Sequence, residues 1–129
     1  MKIIHCADLH LDSKMTSNLS KEQAKERKME ILRTYSRMIE YAKSNDVKAI
    51  IIAGDLFDTR NVSATARNLV KDSITSNPDI DFYYLKGNHD SDNFISKLDE
   101  IPDNLKLFSN QWTSYSYGNI TITGLEIDK

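Results

Sequence analysis

Apolar positions along the chain follow two rhythms that alternate from segment to segment. Residues 2–7, Lys-Ile-Ile-His-Cys-Ala, are a short and mostly apolar run of the length of a buried strand. The next signal has helical spacing: Ile31, Tyr35, Met38, Ile39 and Ala42 recur at one-, three- and four-residue steps on one stripe. Ser20, with Gln23 three residues later, makes a capping box ahead of that stripe and predicts a helix over 20–45. Residues 47–53, Val-Lys-Ala-Ile-Ile-Ile-Ala, are a β-branched run that suits a strand covered on both faces. Ser63 caps a second helix with the apolar face Ala66, Leu69, Val70, Ser73 and Ile74, and Asn77-Pro78 stops it. A third strand follows at 81–86, then a short helical segment at 91–100 ended by Pro102, and a fourth strand at 105–108. Residues 112–117 and 120–125 flank Gly118-Asn119, a hairpin signal.

The order β-α-β-α-β predicts an α/β fold: a mostly parallel sheet with right-handed crossovers, and an antiparallel hairpin at its edge. At 129 residues the chain is one domain or part of one. No apolar run approaches the roughly 18–20 residues of a membrane span. The N-terminal apolar stretch is broken at Asp8, too early for a secretory signal. Cys6 is the single cysteine, which excludes an intrachain disulfide and points to a reducing, cytoplasmic setting. A net charge of −2 gives no overall field that would draw in nucleic acid. Residues 21–37 carry six basic and three acidic side chains. That stretch could follow a DNA backbone, but a solvated helix face explains it more simply.

Three polar clusters each follow a predicted strand: Asp8-Leu9-His10, then Gly54-Asp55-Leu56-Phe57-Asp58, then Gly87-Asn88-His89-Asp90. Parallel strands bring their carboxyl ends to one rim, where open α/β sheets bind ligands, so the clusters should meet. Asp8, His10, Asp55 and Asn88 offer carboxylate, imidazole and amide oxygen, a donor set for Mn, Fe or Zn. On an extended segment Asp8 and His10 would face the same side. Gathering Asp8, Asp55, Asp58 and Asp90 without a cation would raise their pKa values by mutual repulsion, a cost that a divalent ion removes. Gly54 and Gly87 let the backbone turn where a side chain would block it. Each cluster alone is an ordinary strand-to-loop turn; all three in order, each behind a strand, carry the metal reading. His5 reads as a core residue by strand alternation, and Cys6 as a small buried hydrophobe. Asp12 and Asp58 read equally well as groups that orient ligands or as loop caps. Trp112, Tyr115 and Tyr117 read as packing residues rather than platforms for bases.

In this order the clusters resemble the calcineurin-like metallophosphoesterase superfamily, over residues 3–90. Ile4-His5-Cys6-Ala7-Asp8-Leu9-His10-Leu11-Asp12-Ser13 looks like the opening of SbcD-type bacterial DNA exonuclease subunits. Ala53-Gly54-Asp55-Leu56-Phe57-Asp58 and Leu85-Lys86-Gly87-Asn88-His89-Asp90 fit the same subgroup. The resemblance implies half of a four-layer αββα fold and two divalent ions, Mn²⁺ being the expected metal. Asp8 and His10 would hold one ion, Asp55 would bridge both, and Asn88 would hold the second. His89 would donate a proton to the leaving oxygen or stabilise charge near it, with Asp90 orienting its ring. DNA as substrate and an SbcC-like ATPase subunit as partner, in double-strand-break repair, are implied with it.

Members of the superfamily continue with Gly-His and Gly-His-x-His segments that add three histidine ligands, whereas this chain has only His5, His10 and His89. The expectation is therefore the N-terminal portion of a metallophosphoesterase domain over 1–129, with the C-terminal half and its second sheet absent. Residues 50–52 send side chains to both faces, so one sheet face should lack its cover and favour a homo-oligomer. Two other functions stay open: a phosphoesterase for a small phosphorylated substrate, and a non-catalytic scaffold for an ATPase. Neither a P-loop nor a Gly-x-Ser-x-Gly elbow occurs.

Overall fold

The computed structural model describes residues 1–12, 19–57, 62–87 and 93–127. Strand β1 (Lys2–Cys6) leads through helix α1 (Lys21–Ser44) to β2 (Val47–Ala53), then through α2 (Ala64–Thr75) to β3 (Asp81–Leu85). A single helical turn, α3 (Asn93–Ser96), precedes β4 (Leu105–Leu107), and β5 (Thr113–Tyr117) and β6 (Ile120–Gly124) complete the order. The four strands β1-β2-β3-β4 lie side by side and pair in parallel throughout. Among the described residues no helix is long and apolar enough to cross a membrane.

Both long helices start where the sequence places their caps. Ser20 and Gln23 exchange hydrogen bonds in a complete capping box, and Ser63 Oγ accepts from the Ala66 amide. Such caps contribute about 1 kcal/mol each. The stripes behind them pack on one face of the parallel sheet, where Tyr35, Ile39 and Ala42 meet Val70 and Ile74 over Ile50, Ile52 and Phe82. Each fully buried Val, Ile or Phe side chain among them contributes roughly 1.5–3 kcal/mol relative to exposure. The Tyr35 hydroxyl, deep between the helices, pairs with Ser73 Oγ at 2.7 Å, and burial pushes its phenol well above the usual range. The buried Asn104 was not singled out by the sequence pattern. Its amide nitrogen donates to the carbonyls of Ile74, Asn77 and Ile80 at 2.8–3.0 Å, joining the end of α2 to the start of β3.

The hairpin does not extend the parallel sheet. It forms a sheet of its own and lies over the face opposite the helices. Tyr83 points to that face, and the rings of Phe108, Tyr115 and Tyr117 close over it at centroid distances of 5.5–6.4 Å. The Tyr115 hydroxyl donates to the Leu107 carbonyl, and the Tyr117 hydroxyl to Asp81 Oδ2. Part of the outer face expected to lie bare is thus covered: Tyr83 is 1% exposed. The remainder of that face lies at β1, where Ile3 and His5 are exposed. His5 is therefore not a core residue; β1 is the edge strand away from β4, and its outer face lies beyond the hairpin's reach. Tyr115 and Tyr117 pack as expected, but Trp112, just before β5, is 72% exposed.

Candidate metal centre

Every group of the centre lies just past the carboxyl end of a strand. β1 ends at Cys6, and the loop beyond it runs beside the loop after β2. The Asp8 amide donates to the Gly54 carbonyl, His10 to Asp55 and Leu11 to Leu56, at 3.2, 3.0 and 2.9 Å. The alignment ends in a parallel bridge between Leu11 and Phe57, both fully buried. These bonds lay the two loops that carry candidate ligands side by side.

The loop is not extended, and here the expectation needs correcting. Asp8, His10 and Asp12 have φ of 54°, 47° and 65°, and Asp55 has φ 51°. The shared direction of Asp8 and His10 therefore comes from a run of left-handed turns rather than from strand alternation. Four of the five non-glycine residues with positive φ among the described residues belong to this region. A non-glycine residue held there costs on the order of 1–2 kcal/mol, least for Asp, Asn and His, and such strain concentrates at functional sites.

The result is a compact group. Ligand atoms of Asp8, His10 and Asp55 all lie within 4.8 Å of one another, and His10 Nε2 is 3.8 Å from Asp8 Oδ1. Asp8 is exposed, while His10 and Asp55 are half-buried. Two carboxylate oxygens and an imidazole nitrogen fit a divalent ion of the Mn, Fe or Zn kind. A cavity of about 350 Å³ opens next to Asp8, walled by Leu9, Ile31, Tyr35 and Met38. Cys6 takes no part: its thiol faces the Ile51 carbonyl at 3.5 Å, and burial pushes it up to about 11.

Gly54 and Gly87 act differently from one another. Gly54 takes φ +85°, the turn for which glycine was expected. At Gly87 the need is space. A methyl group there would stand 2.5 Å from both the amide nitrogen and Oδ1 of Asp55, and 3.0 Å from Gly54 Cα. The end of β3 thus presses directly on the central carboxylate. Asn88, His89 and Asp90, and Asp58 on the second loop, lie outside the described residues; of the third cluster only Gly87 is described.

Residues 1–127 match the model of the calcineurin-like phosphoesterase family. The chain belongs to that family. Among its relatives is the DNA double-strand break repair protein Mre11 of Sulfurisphaera tokodaii, 29% identical over 96% of this chain and 32% of the relative. The uncharacterized metallophosphoesterase YhaO of Bacillus subtilis is 34% identical over 84% of this chain and 28% of its own length. The SbcD component of the Escherichia coli K12 nuclease SbcCD is 32% identical, over 80% and 24% respectively. The chain thus spans about a third or less of the length of the curated relatives it matches. The parallel sheet with its added two-stranded sheet agrees with a phosphoesterase of this family, and the family implies divalent metal ions.

Proposed function

We propose that this chain is the N-terminal portion of a metal-dependent phosphodiesterase that cleaves DNA, a nuclease subunit of a double-strand-break repair complex. The observation that carries the reading is the convergence of Asp8, His10 and Asp55 within 4.8 Å on adjoining strand-end loops. Relatives named as a nuclease subunit and as double-strand-break repair proteins support the choice of DNA. Asp8 and His10 would hold one ion, Asp55 would be shared, and Asn88 would hold a second, with Mn²⁺ the proposed metal. Bound there, divalent ions would polarise the phosphoryl group and offset charge on the leaving oxygen. His89 would supply a proton to that oxygen, held in place by Asp90, since a histidine beside a carboxylate suits a general acid at neutral pH. An SbcC-like ATPase subunit is the proposed partner. Self-association through the exposed outer face at β1 is proposed with it.

The test uses the full-length gene product with Mn²⁺, offered linear duplex DNA, bis(p-nitrophenyl) phosphate and a phosphomonoester. DNA cleavage is expected. His89→Ala should cut turnover by about 10²–10⁴-fold with metal content unchanged. Asp55→Ala should strip the metal. Equal metal loss in both variants would remove the proton-donor role from His89. Turnover of small esters without DNA cleavage would favour the small-substrate alternative, and ATPase capture without turnover the scaffold.

A further inference from the structure

The two long helices differ at their first turn. α1 has both halves of its capping box, because the Gln23 side chain returns to the Ser20 amide at 3.0 Å. α2 has one half. Ser63 Oγ accepts from the Ala66 amide at 3.2 Å, but alanine has no side chain that could accept from the Ser63 amide. Asp12 supplies the missing acceptor from 51 residues away: its Oδ2 accepts from the Ser63 N–H at 2.7 Å. Its other oxygen faces Lys28 Nζ of α1 at 3.9 Å. The Asp12 side chain is 15% exposed, and its backbone, like those of Asp8 and His10, is left-handed.

We infer that Asp12 is a positioning residue for the metal centre. The segment 8–12 is bound along its length to the β2 loop by backbone hydrogen bonds and at Asp12 to the start of α2 by this carboxylate. Left-handed turns at Asp8 and His10 store strain that an unrestrained loop would relax, swinging the imidazole away from Asp55. Asp12 resists that relaxation. It acts through Asp8 and His10 and does not itself ligate. The inference rests on the metal reading above.

The experiment is Mn²⁺ titration of the protein by calorimetry, with thermal unfolding measured beside it. Asp12→Ala should weaken binding by about 10-fold or more, the range seen when groups that orient metal ligands are removed. Asp12→Asn should bind nearly as the parent does, because its amide oxygen still accepts from Ser63. Two substitutions at Ser63 separate positioning from stability. Ser63 has φ −63°, which proline accepts. Ser63→Ala and Ser63→Pro both lose the Oγ cap and should both unfold at lower temperature, but only proline removes the N–H that Asp12 holds. Ser63→Pro should therefore weaken Mn²⁺ binding and Ser63→Ala should not, a contrast that stands even where Asp12→Ala fails to fold. Asp12→Ala binding as tightly as the parent, Asp12→Asn as weak as Asp12→Ala, or equal affinities for the two Ser63 variants would overturn the role. No Mn²⁺ binding by the parent would overturn the metal reading first, and the role with it.

Discussion

At the scale of single residues the centre is made by crowding and by unusual backbone. Gly87 shows the crowding most sharply, since an added methyl group meets the Asp55 amide and carboxylate at 2.5 Å, and the amide cannot swing aside as a flexible side chain would. Gly118 is the useful contrast: it turns the hairpin at φ +52° with nothing within 4 Å of an added methyl. Gly87→Ala should lower stability by about 1–3 kcal/mol, the usual cost of overpacking, and should also weaken Mn²⁺ binding. Gly118→Ala should cost on the order of 1 kcal/mol through strain alone and leave Mn²⁺ binding as it was. Thermal unfolding and metal titration of the pair check this. A Gly87→Ala protein with unaltered Mn²⁺ affinity would mean that Asp55 can be displaced without harm.

At the scale of elements, packing decided what periodicity left open. The caps at Ser20 and Ser63, the β-branched run at 47–53 and the stripe through Tyr35 and Ile39 were readable because each is a local pattern with a local cause. Asp8, His10 and Asp55 were readable as candidate ligands from their residue types and their places after strands. The left-handed turns that bring them together were not, because nothing local distinguishes them from an extended continuation of β1. The Asp12–Ser63 and Asn104 bonds span 51 and up to 30 residues, so no window of sequence contains both partners. The hairpin was readable from Gly118-Asn119, but its seat over Tyr83 includes a bond from Tyr117 to a partly buried Asp81 36 residues away. Burial pushes the Asp81 carboxyl above its ordinary value, and Lys106 opposes this only in part. Between the ordinary and raised values the folded protein holds more protons at Asp81 than the unfolded chain, so this contribution to stability falls as pH rises. Asp81→Asn keeps an acceptor for Tyr117 and removes the buried charge. It should unfold at a higher temperature than the parent at pH 7, with the difference shrinking as pH drops below the ordinary carboxylate range. A lower unfolding temperature at pH 7 would show that the charged hydrogen bond outweighs the cost of burial.

At the scale of the whole molecule, a parallel sheet carries its helices on one face and the hairpin on the other, and the candidate ligands gather at the strand-end rim. Family membership accounts for that arrangement and implies divalent metal ions. Two of the three clusters meet there among the described residues, and Gly87 of the third lies against Asp55. Three protein ligands can hold a divalent ion with water completing the shell. On the proposed assignment, Asp55 and the neutral Asn88 amide alone would give a second ion too little to compete with hydration. Titrating the 129-residue chain with Mn²⁺ while monitoring its fold is the most direct measurement. One weak site is predicted, lost in Asp8→Ala and in Asp55→Ala with the fold retained, and little DNA cleavage. A folded chain that binds no Mn²⁺, or binds it equally well without Asp8 or Asp55, would contradict the assignment of the centre.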